Sequence, residues 1–111
     1  MLRAKVLYKD KSNKQLIVGY ELKGHVGYAA SGKDIVCAGI STAAHMTLLS
    51  LDRLGIEYDS NISIGYNKVK LRSDTFLFTA QQPFHVLVNY LNELMKQYPN
   101  HVSIERLTES L

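Results

Sequence analysis

Residues 15–55 read QLIVGYELKGHVGYAASGKDIVCAGISTAAHMTLLSLDRLG, and the change of period inside this stretch decides the fold class. Residues 15–23 are rich in strand formers and read as a β-strand. Residues 24–33 hold glycines at 24, 27 and 32 and read as a loop, expected to be mobile until a ligand orders it. Asp34 then offers a carboxylate to the unpaired amides of a helix's first turn, so it is the expected N-cap. The helix runs to about Leu54 and stops at Gly55, a residue suited to the C′ position. Its apolar residues, among them Ile35, Val36, Ile40, Met46, Leu48, Leu51 and Leu54, cover most of the circumference and leave a polar arc around Ser41, Thr42, His45, Asp52 and Arg53. Such a helix is expected to be covered on more than one side, by a sheet and by a second helix or a second subunit, and a homodimer is the expected assembly.

Upstream, residues 3–9 alternate with Ala4, Val6 and Tyr8 on one face, and the polar run Lys11-Ser12-Asn13-Lys14 supplies a hairpin turn into the second strand. Downstream, Ile62, Ile64 and Tyr66, then Val69 and Leu71, alternate like two further strands, with a turn expected at Gly65–Lys68. A second helix is expected to begin near Thr79, where Thr79-Ala80-Gln81-Gln82 fits a capping box and Pro83 falls in or just past the first turn. Phe84, Leu87, Val88, Leu91, Leu94, Met95 and Tyr98 form its apolar face. Pro99 ends it, and Val102–Leu107 reads as a last strand. The order ββαββαβ predicts a single α+β domain over residues 1–111, a mostly antiparallel sheet packed with two helices.

Composition narrows the function classes. With 111 residues, 46% hydrophobic and 21% charged, the chain fits one globular domain and not a disordered segment. The charged amino terminus has no apolar h-region, and no run approaches the ~18 apolar residues of a membrane span, so cytoplasm is the expected location and no membrane partner is expected. One cysteine excludes an internal disulfide and the cysteine-rich zinc sites. The net charge of +3 is uneven, because residues 1–33 sum to +5 and the rest to −2. A basic amino-terminal third can draw a protein toward RNA or a ribosome. No aromatic ladder is interleaved with these charges, so solvated strands are the preferred reading and direct RNA binding is not expected.

The chemistry concentrates in GHVGYAASGKDIVCAGIS, residues 24–41. A lone cysteine on an apolar helix is ordinarily a small buried hydrophobe, and a loop histidine is ordinarily a surface residue. Here Cys37 falls on the third position of the helix, where the macrodipole favours a thiolate. His25 sits in the glycine-rich loop that leads there and can fold back over the helix start as a base. The free first-turn amides of Cys37 and its neighbours are candidate oxyanion donors, and Ala38 beside it is a candidate supporting residue. Ser41, one turn on, can reach substrate or simply the backbone at Cys37. Asp34 is first a cap and second a possible orienter of His25. His45 lies eight residues after Cys37, about 12 Å along the helix and out of reach. His85 and His101 read as surface or boundary residues. Gly27 to Asp34 also matches a phosphate-binding loop except at its last position, where Asp34 replaces the Ser or Thr that holds magnesium. Nucleotide binding therefore stays open as an alternative, as does a non-catalytic ribosome-binding module that uses the basic hairpin.

The pattern GHxxYAxxGKDIVCAGxS resembles the signature of the Prp family, ribosomal-processing cysteine proteases of bacteria. The family's glycine–histidine pair falls on Gly24-His25, its D-I-V-C run on Asp34–Cys37, and its following serine on Ser41. Tyr28 also falls in the pattern, as a loop anchor or substrate contact. The resemblance implies a thiol endopeptidase with Cys37 as nucleophile and His25 as general base, needing no metal or cofactor. It also implies dimers, and a substrate that is the amino-terminal extension of large-subunit ribosomal protein twenty-seven, cut after an aromatic pair.

Overall fold

A computed structural model describes residues 1–27, 29 and 34–109. Along the chain stand β1 (Leu2–Lys11), β2 (Lys14–Lys23), α1 (Ile35–Arg53), β3 (Tyr58–Ser63), β4 (Tyr66–Leu71), α2 (Leu77–Gln97) and β5 (Val102–Thr108), the ββαββαβ order expected from the sequence. The strands form one five-stranded sheet in the order β3-β4-β2-β1-β5. Its pairings are antiparallel except the last, where β5 returns parallel to β1 with Leu2 opposite Val102.

The β1–β2 turn falls where the polar run predicted it. Ser12 and Asn13 take φ of 53° and 62°, the left-handed pair that a tight two-residue hairpin needs. A bulge follows: Leu7 pairs with Gly19 but Tyr8 with Ile17. Gly19 has a steric reason to be glycine, since a Cβ there would strike the Val69 carbonyl of β4. Several charges of the basic hairpin are paired within the fold. Lys9 and Lys11 meet Asp74 at 3.5 and 2.6 Å, and Lys5 meets Glu21 at 3.9 Å.

Two expectations are corrected. The β3–β4 turn is Ile64–Gly65, not Gly65–Lys68, because Gly65 takes φ +71° in the turn and Tyr66 already pairs with Lys23. The second helix starts at Leu77, not near Thr79, with no side-chain cap, and Pro83 lies inside it. Packing explains the earlier start. Leu77 and Ala80 are fully buried with Phe84, which meets Tyr20 edge-on at 6.2 Å between ring centres. Burying a residue such as Leu77 contributes about 1.5–3 kcal/mol, more than the ~1 kcal/mol a cap supplies. Gln81 is not part of a capping box either. Its side chain accepts from the Ile17 amide and donates to the Ile17 carbonyl, both at 2.8 Å, extending the ladder past the residues of β2 that β4 pairs.

α1 buries one stripe, Val36, Ile40, Ala44, Thr47 and Leu51, spaced three or four residues apart. Met46, Leu49 and Leu54 remain exposed, so the single chain covers α1 on fewer sides than its composition predicts. By length and composition alone α1 would pass for a membrane span; core helices of soluble proteins share that property. The antiparallel sheet does not suit the phosphate-loop alternative, which needs a parallel one. Of that loop, Tyr28 and residues 30–33 lie outside the described residues, and so does the expectation of mobility placed on them.

Candidate active site

Cys37 occupies the third residue of α1 and is half-buried. Its position depends on Asp34, whose extended backbone (φ −82°, ψ 94°) turns the chain into the helix. Asp34 Oδ1 accepts the Cys37 amide at 2.9 Å, and the Asp34 carbonyl accepts the Ala38 amide at 3.0 Å. The N-cap is therefore as expected, and its carboxylate takes the Cys37 amide, one of the first-turn amides expected to serve an oxyanion. Among the described residues, the Ile35 and Val36 amides of the same turn find no acceptor. Asp34 Oδ2 also accepts the Ala29 amide at 3.4 Å, joining the loop to the helix start.

His25 follows the end of β2 and is held from both sides. Before it, Gly24 takes φ +98°, and its amide donates to the Gly65 carbonyl at the tip of the β3–β4 hairpin, 2.8 Å away. After it, Val26 is fully buried, and its carbonyl accepts from His101 Nδ1–H at 3.2 Å. The imidazole itself lies against Gly65, where an added Cβ would sit 3.0 Å from Nε2 and 3.2 Å from Cε1. The hairpin tip is thus the back wall of the His25 ring.

Two hollows meet at these residues. A cleft of about 360 Å³ runs between α1 and the β3–β4 hairpin. Cys37, Ser41, His45 and Leu48 form one bank, and residues 62–67 form the other. A second hollow of about 400 Å³ opens on the loop side, bordered by Gly27, Ala29, Asp34 and Ala38. Cys37, His25 and Ser41 border both. No hydrogen bond joins His25 to Cys37 among the described residues, an ordinary condition for a thiol and a base whose contact tightens only on a ligand.

The expected supporting residues sort clearly. Gly24, Asp34, Ala38 and Ser41 surround the pair, while Tyr28 lies outside the described residues. His45 shares the cleft but stands two helical turns beyond Cys37. His85 is exposed on α2, and His101 is used to pin Val26. Sequence reasoning missed Gly65, Asn67 and His101. Gly65 signalled a turn, but nothing local says that the turn closes on His25. Tyr66, on the same wall, donates its phenol to Glu21 at 2.9 Å, and that carboxylate holds the phenol protonated above its usual range. Among the described residues no cluster of three His, Cys, Asp or Glu side chains has the arrangement of a metal site.

Comparison with known proteins adds the following. The sequence profile described as Cysteine protease Prp matches residues 1–103. A ribosomal processing cysteine protease Prp from Mycoplasma genitalium is 33% identical over 82 residues, covering 74% of this chain and 81% of that one. Among solved structures, an essential ribosomal processing protease Prp from S. aureus, in complex with a covalently linked product peptide, superposes with a TM-score of 0.80 at 20% identity. That match covers 94% of this chain and 99% of the other. A Streptococcus mutans protein superposes with a TM-score of 0.76 at 23% identity, covering 98% and 96% of the two chains. These two structural likenesses are likenesses of fold.

Proposed function

The chain belongs to the Prp family of cysteine proteases, and from that premise we propose that it is a thiol endopeptidase in which Cys37 is the nucleophile and His25 the general base. The observation that carries this reading is the meeting of two hollows at one ridge. Cys37 and His25 border both, and an enzyme that cuts within a chain needs room on either side of the scissile bond.

In the reaction, His25 takes the thiol proton and Cys37 Sγ attacks the scissile carbonyl carbon. The tetrahedral oxyanion is held by first-turn amides that have no acceptor among the described residues, those of Ile35 and Val36, with the helix dipole adding to them. His25 then protonates the leaving amine, and a thioester joins Cys37 to the amino-terminal fragment. Water, deprotonated by the same imidazole, releases that fragment and restores the thiol. Ser41 contacts substrate or the Cys37 turn from the next turn of α1. Asp34 holds the helix start in place.

The S. aureus protein of similar fold is a ribosomal processing protease whose crystal structure holds a covalently linked product peptide. By the family pattern, the substrate here is the amino-terminal extension of large-subunit ribosomal protein twenty-seven, cleaved after an aromatic pair in the cytoplasm. The cleft suits such a segment, because Ile40, Leu48, Ile62 and Ile64 give it apolar walls. The test is incubation of a synthetic extension peptide with wild type, Cys37→Ala and His25→Ala. Cleavage by wild type alone, with all three giving the same circular dichroism, is the expected result. Near-wild-type cleavage by either variant would remove that residue from the mechanism.

A further inference from the structure

Asn67 belongs to none of the family-pattern positions, yet it carries a feature that folding alone does not explain. Its side-chain oxygen is buried and has no hydrogen-bond partner among the described residues. Native proteins leave few such acceptors, and those that persist call for a reason. The residue lies in the wall of the cleft that holds Cys37 and His25. On β4 it pairs with Leu22 of β2 on one side and Ile62 of β3 on the other, and all three line that cleft. It stands two residues after Gly65, against which the His25 ring lies.

We propose that Asn67 is a substrate-positioning residue whose carboxamide oxygen accepts a backbone N–H of the bound peptide, about two residues from the scissile bond. The spacing follows from strand geometry. Two residues of β4 span about 6.6 Å, and so do two residues of an extended peptide lying beside it. Because Gly65 marks the place of His25, Asn67 meets the peptide roughly two residues away from the reacting carbonyl. The oxygen is turned away from solvent in the free protein. The Asn χ2 torsion is broad and nearly two-fold, so rotation about one bond presents the oxygen to the cleft without backbone movement. A partner in the complex and none in the free enzyme is an interaction gained only on binding, and it fixes the register in which the peptide reaches Cys37.

This inference rests on the endopeptidase reading, and the experiment separates the two. The extension peptide is prepared as a series in which each amide outside the scissile bond is replaced singly by an ester, which deletes one N–H and keeps the shape. With wild type, one ester about two residues from the scissile bond should lower kcat/KM about ten-fold, as loss of one hydrogen bond does. With Asn67→Ala, the all-amide peptide should lose a similar factor, and the same ester should now cost less than two-fold. Asn67→Asp, which keeps an acceptor of the same shape, should restore the ester's penalty. The melting temperature of Asn67→Ala should stay level or rise, since an unpartnered oxygen contributes no bond to the fold; a purely structural asparagine would lower it. If no ester is penalised in wild type, or if the penalty survives in Asn67→Ala, the inference fails while the protease reading stands. If wild type cleaves none of the peptides, both fall together.

Discussion

Replacing Gly65 by alanine tests whether the placement of His25 matters to the chemistry. Gly65 has φ +71°, a region that costs an L-residue roughly 1–2 kcal/mol. The added methyl would lie 3.0 Å from Nε2 and 3.2 Å from Cε1 of His25, where ordinary contacts are 3.4–4 Å. The ring must therefore retreat by about half an ångström. A misplacement of ~1 Å can lower a rate about 100-fold, so a loss of about ten-fold in kcat is expected. Gly55 supplies a matched control. Its φ is +72°, and nothing lies within 4 Å of an added Cβ, so Gly55→Ala bears the backbone strain without the contact. Both variants should melt about 4–8 °C lower for each kcal/mol of strain. Only Gly65→Ala should lose kcat against the extension peptide. A raised KM at constant kcat would mean that the methyl obstructs substrate. Equal activities of the two variants would refute the argument that the hairpin tip positions a catalytic imidazole.

Tyr20→Phe should stabilise the protein by about 1 kcal/mol, because the buried Tyr20 hydroxyl has no partner among the described residues. Burial first, and then Tyr58, push the Tyr20 phenol above its usual value of 10.0. The folded state thus favours the neutral form, and the associated stability is full below pH 10 and lost as pH rises beyond it. Thermal melts from pH 9 to 11 should fall more steeply for wild type than for Tyr20→Phe; parallel curves would contradict this. Asp34→Ala should cost about 1 kcal/mol by removing the 2.9 Å bond to the Cys37 amide. Asp34→Asn should keep most of that, and if it melted as low as the alanine variant, the cap would not explain the residue. Light scattering at micromolar concentration should give about twice the 12.5 kDa chain mass. Met46 of α1 and Val86 of α2 are each more than half exposed and line a groove of about 770 Å³ between the two helices. A species of 12.5 kDa alone would refute the dimer.

The sequence disclosed those parts of the fold whose causes are local. The strand alternation, the Ser12-Asn13 turn, the Asp34 cap and the Gly55 stop each rest on a residue and its near neighbours. The turn, the cap, the stop and the alternation of β1 stand in the structure. Ile62, Ile64 and Tyr66 do not share one strand, because Ile64 is exposed in the β3–β4 turn and Tyr66 already belongs to β4. The start of α2 was misread because its punctuation is local while its cause is not. Leu77 is helical because it is buried beside Ala80 and Phe84, and Gln81 is occupied by Ile17 on a strand 64 residues away in sequence. The site divides the same way. Cys37, His25, Asp34 and Ser41 fall within one continuous motif and were legible there. Gly65, His101 and Asn67 reach the same place only through the sheet, and no periodicity in the chain announces that. One carboxylate serves as cap, and it takes the Cys37 amide, one of the first-turn amides expected to serve an oxyanion.

The central claim is that Cys37 forms the thioester. Wild-type enzyme is mixed with excess extension peptide, quenched in acid within the first turnover, and digested for mass spectrometry. The account expects the amino-terminal fragment, less one water, attached to the peptide that contains Cys37, and no such adduct in Cys37→Ala or His25→Ala. Cleavage that proceeds with Cys37 unmodified at every quench time, and continues in Cys37→Ala, would contradict it.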